Sequence, residues 1–180
     1  MREQNDKNLH FIIPLPKDDP NYKKEFICFF LFQSSFNKLY LQIDRIKKDK
    51  DKNDLKSLFA DIHFFLVALF GLKKLFTKLR NIYSNDKIFV NIYKKHIKEL
   101  EYLNDFRNNL EHIVEGGIEW KGKKGELLKN PDMLGNLIGD EYDFSGETFS
   151  LKEAFLLVDN ISEYIKQWNI EYKHFPCINY

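Results

Sequence analysis

The strongest constraint on this chain is the spacing of its apolar residues. Between Asp54 and Tyr83, Leu55, Leu58, Phe59, Ile62, Phe65, Leu66, Leu69, Phe70, Phe76 and Leu79 recur at intervals of three and four. That interval stacks side chains along one face of an α-helix, whereas a strand would repeat every second residue. The same rhythm runs from Tyr22 to about Ile46 through Phe26, Phe29, Phe30, Phe36, Leu39, Tyr40 and Ile43. It returns from about Lys87 to Val114 through Ile92, Leu100, Leu103, Phe106, Leu110 and Ile113. A fourth segment, LKEAFLLVDNISEYIKQWNIEY, follows Ser150, whose spacing to Glu153 is that of a capping box. Long helices with apolar faces must bury those faces against one another, so the expected fold class is all-α. The architecture predicted is a four- to five-helix bundle with a loop or short β-hairpin insertion before the last long helix.

The stretches between these helices are read by their chemistry. The run KKDKDKND (47 to 54) predicts a solvated loop between the first two helices. YSND (83 to 86) supplies turn and cap residues, and Gly116 and Gly117 close the third helix. The middle of the second helix is apolar nearly all round, which predicts a central position in the bundle. Residues 118 to 150 hold most of the glycines and predict one or two short strand pairs. Residues 1 to 20 carry three of the five prolines and predict an irregular arm. The whole of 1 to 180 is expected to form a single domain, long enough to bury roughly two thirds or more of its unfolded surface.

Charge is balanced, with 28 Lys plus Arg against 27 Asp plus Glu, so any nucleic-acid site must be a local patch. The two cysteines, Cys28 and Cys177, have no CxxC spacing, which fits a reducing compartment rather than a disulfide scaffold. No signal-peptide pattern opens the chain, and the apolar runs FICFFLF and FFLVALFGL fall short of the roughly 18 to 20 residues of a membrane helix. The expectation is a cytoplasmic protein without membrane partners. His63 and His96 have no histidine at i+3 or i+4 and no HExxH pattern, so no metal or other cofactor is expected. His63 reads as a core histidine, with Asp61 near it, and His96, among lysines, as a surface residue.

One segment carries chemistry. DFRNNLEHIVEGG (105 to 117) places one of only four arginines near the end of the third helix. At about 100° per residue Arg107 and Glu111 share one strip, Asn108 and His112 the next, and all four point away from the buried line. Arg107 and His112 lie about 140° apart on the helix, so they converge on one phosphate only through the length of the Arg side chain or across a dimer. An imidazole can exchange protons with a ribose 2′-hydroxyl near neutral pH, and the guanidinium fork can oppose charge growing on a phosphate. Asn108 can position either group, and Glu111 can tune the arginine. Expected in the last turn, His112 would also feel the helix dipole, which favours the imidazolium.

RNNLEH (107 to 112) resembles the R-x(4 to 6)-H signature of HEPN domains, all-helical modules found in many prokaryotic toxins and phage-defence systems. On that resemblance Arg107 and His112 match the invariant pair and Asn108 the polar position after Arg. The resemblance implies homodimerisation and metal-independent endoribonuclease activity on RNA, in a toxin with a possible antitoxin protein as partner. Just beyond, EWKGKKGELLK sets Trp120 among Lys121, Lys123 and Lys124, a mixture that stacks on and steers single-stranded RNA. Two plainer readings stand beside these. The four motif residues also make an ordinary solvated strip with an i,i+4 Arg–Glu pair worth a few tenths of a kcal/mol, and the Trp–Lys stretch an ordinary exposed turn. The alternative function is a non-catalytic helical interaction or nucleotide-binding module.

Overall fold

In the computed structural model, residues 22–52, 54–116, 136–144 and 147–171 are described. They form α1 (Tyr22–Lys52), α2 (Leu55–Ile82), α3 (Lys87–Gly116), β1 (Asn136–Ile138), β2 (Glu141–Phe144), β3 (Glu147–Ser150) and α4 (Leu151–Glu171). Among the described residues this is an all-α bundle of four helices, with a small sheet inserted before the last one. The arm at 1–20 lies outside them.

Short connections set the topology. Two residues join α1 to α2 and four join α2 to α3, so successive helices run antiparallel and pack as neighbours. α4 closes the bundle against α3 and α1. The inward faces follow the periodicity in Phe36, Leu39 and Ile43 of α1, Ile62, Phe65, Leu69 and Phe76 of α2, and Leu100, Leu103 and Phe106 of α3, whereas Phe30 is 62% exposed; α4 adds Leu157, Ile161, Ile165 and Trp168.

Aromatic contacts seal both ends. At one end Trp168 meets Tyr83 and Phe89 edge to face, at centroid separations of 4.9 and 5.0 Å, and Phe76 packs on Phe89 and Tyr93. Asp86 ties this end together: its Oδ1 accepts from the backbone N–H of Ile88 and Phe89 as the N-cap of α3, and its Oδ2 accepts from Trp168 Nε1 at 2.8 Å. At the other end the antiparallel sheet, in the order β1-β2-β3, lies against the bundle. Tyr142 and Phe149, paired across β2 and β3, pack on Phe106, and Tyr142 also meets Phe59.

Three expectations are corrected here. The run from Lys47 to Lys52 is not a loop but the last turns of α1. It has no apolar residue to mark a period, yet Lys is a good helix former and Lys50 and Lys52 complement the C-terminal dipole. α2 is not enclosed all round: Phe64 is 57% exposed and Val67 is also solvent-facing, because a four-helix bundle has no central helix. His96, read as a surface residue, is 3% exposed and faces Tyr164 of α4 at 5.5 Å. The expected strand pairs are present, with Gly139 at φ +64 in the tight β1–β2 turn.

Candidate functional site

The motif segment lies wholly within α3, which keeps Arg107 and His112 about 140° apart around the axis. α3 continues to Gly116, so His112 stands ahead of the last turn and the dipole contribution expected there is weakened. The side chains of Glu111 and His112 lie outside the described residues, as do Trp120, Lys121, Lys123 and Lys124.

Arg107 does not project straight into solvent. Cα–Cβ bonds tilt toward a helix N-terminus, and the long side chain follows that direction back over α2. Its Cζ sits 4.5 Å from the centre of the Phe70 ring, and Nη1 donates to Oδ1 of Asn108 at 3.2 Å. Both residues are half-buried. Arg107 and Asn108 are thus brought together, but at the α2–α3 seam rather than on a fully solvated strip.

A second cation shares that ring. Nζ of Lys74, one helical turn beyond Phe70, lies 4.1 Å from the same centroid. Sequence reasoning singled out neither Phe70, counted as core, nor Lys74. Their i,i+4 spacing is visible in the chain, but the arrival of Arg107 from α3 is a tertiary fact. Phe64, Val67, Gly71 and Lys74 fall within an arc of about 80° on α2, so this cation pair borders a strip with two exposed apolar side chains. A Cβ added to Gly71 would meet nothing within 4 Å, so that strip is open.

The other candidates point elsewhere. Asp61 faces α1, where Arg45 Nη1 lies 3.9 Å away. Burial, then a hydrogen bond with Asp49, pushes its carboxyl above the ordinary range. His63 is half-buried, its ring 6.2 Å from that of Phe64. Among the described residues no group of three or more His, Cys, Asp or Glu could hold a metal, and no helix is long and apolar enough to cross a membrane.

No family model, curated protein or solved structure matches this chain. The fold defines a class of architecture, a four-helix bundle carrying a small antiparallel sheet, and the site is a pair of cations held on one aromatic ring at its α2–α3 seam.

Proposed function

We propose that the chain is a metal-independent endoribonuclease of HEPN type, acting on RNA as a cytoplasmic homodimer in a toxin or phage-defence setting. The observation that carries the reading is the convergence on Phe70 of Lys74, from α2, and Arg107, from the helix that bears His112, beside an open strip of α2. Two cations close to one ring, half-buried Arg107 and exposed Lys74, concentrate positive charge where an anion can bind, and the ring limits the motion of the guanidinium fork. In this reading Arg107 opposes the charge on the scissile phosphate, Lys74 draws the backbone in, His112 moves the proton, and Asn108 holds the guanidinium. Exposed Phe64 and Val67 supply apolar area for a second copy, whose His112 would complete the site.

The test is RNA cleavage by the purified chain in excess chelator, read on gels, with variants checked for fold by circular dichroism. Arg107→Lys and His112→Ala are each expected to lower the cleavage rate by about 100-fold or more. Unchanged cleavage in both folded variants would end the enzymatic reading. The Arg107–Phe70 contact also favours a second one, in which the arginine is a structural clamp in a non-catalytic interaction module. There Arg107→Ala lowers stability and no variant alters RNA.

A further inference from the structure

Away from Arg107, a cleft of about 760 Å³ opens between α3, the outer edge of β3 and the first turns of α4. Its floor is apolar, made by the buried side chains of Leu103, Phe149 and Leu157. Its walls carry three carboxylates, Glu99, Glu141 and Glu153, against one ammonium, Lys98. Two large side chains at the rim stay wet: Leu156 is 56% exposed and Tyr102 48%. Tyr102 also marks the strand edge, because its hydroxyl donates to the Thr148 carbonyl at 2.6 Å.

We propose that this cleft is the docking site for a basic, amphipathic segment of a partner protein, in which Lys or Arg side chains alternate with apolar ones. Charge complementarity selects the occupant. An apolar floor ringed by an excess of carboxylates favours cationic side chains with aliphatic stems and repels the phosphates of RNA. The negative field is felt within the cleft: burial first, and then the carboxylates of Glu147 and Glu141, push the Tyr102 hydroxyl above its ordinary pKa. An extended segment fits along the boundary, since β3 is an edge strand among the described residues; with the Thr148 carbonyl already taken by the Tyr102 hydroxyl, its side chains rather than strand pairing hold it there. Alternating side chains would then place apolar groups on Leu103 and Leu157 and cations near Glu141 and Glu153.

This inference does not depend on the nuclease reading. Its test is fluorescence anisotropy of a labelled peptide alternating Lys and Leu, titrated with the full chain, beside a Glu–Leu peptide of equal length. The Lys–Leu peptide is expected to bind, more weakly as salt rises, and the Glu–Leu peptide not to bind. The double variant Glu141→Lys/Glu153→Lys is expected to weaken binding by about tenfold or more, whereas Asp44→Lys on the exposed face of α1 leaves it unchanged. Tyr102→Ala, which uncovers the Thr148 carbonyl, keeps the salt-sensitive binding. Equal affinity of the double variant and the native chain, or equal binding of the two peptides, overturns the proposal. So does sedimentation showing a dimer of the native chain that the double variant dissolves, because the occupant would then be a second copy.

Discussion

His96 shows how one side chain can tie stability to pH. Its Nδ1 and Nε2 are both buried with no hydrogen-bond partner among the described residues. The Glu99 carboxylate stands 3.6 Å from Nδ1, just beyond hydrogen-bond reach. Lys95, bonded to the Tyr164 hydroxyl, adds a like charge nearby. Burial outweighs the pull of Glu99 and holds the imidazole below its usual pKa. As pH falls the unfolded chain takes up this proton first, so the native state loses stability below about pH 6.5, until folded His96 protonates as well. Urea unfolding at pH 7 and pH 5 checks this: His96→Leu is expected to flatten the difference between the two midpoints. The period did place His96 on the buried face, midway between Ile92 and Leu100, but its polar neighbours in KKHIKE masked that position, and only the fold brings Tyr164 against it. Arg107 teaches the same lesson. Its rarity among lysines marked it, but its partner Phe70 lies 37 positions away, hidden in a run read as core.

At the scale of elements, a cap, a helix-interior glycine and a surface ion pair each set a different share of the stability. Asp86→Ala removes the N-cap of α3 and strands the indole N–H of Trp168, which is 1% exposed. The loss expected is about 2 to 4 kcal/mol, a cap plus an unsatisfied buried donor. Asp86→Asn keeps one acceptor, so its amide oxygen can still cap α3 while the Trp168 N–H loses its partner; it should cost less than alanine by about the value of the cap, and urea denaturation of the two variants makes the comparison. Gly71→Ala runs the other way. It sits inside α2 with space around its absent Cβ, so thermal unfolding should show a gain of about 0.5 to 1 kcal/mol. A loss instead would mean that this strip is covered in solution. The polar end of α1 argues similarly. Lys50 pairs with Asp140 in the β1–β2 turn, but both are exposed, so Lys50→Ala should alter stability by less than about 1 kcal/mol.

For the whole molecule, the bundle leaves apolar surface on α2 that its own helices do not cover. If a second copy uses it, sedimentation should show a dimer, and Phe64→Glu with Val67→Glu should shift it to monomer with little change in helical content. A monomer at every concentration would remove the shared-site form of the nuclease proposal. The order of the helices and most of the inward faces of α1, α2 and α3 were legible in the chain, because a 3.6-residue period is local and survives without knowledge of any neighbour; it did not separate Phe30, 62% exposed, from the core. Ser150, Asp54 and the YSND turn marked boundaries for the same reason: Glu153 N–H donates to Ser150 Oγ, and Asp54 caps α2. Only the tertiary structure decided that Tyr164 covers His96, that Lys74 joins Arg107 on one ring, and that an acidic cleft opens beside β3. Each of these depends on which residues distant in sequence share a packed surface, and periodicity carries no information about that.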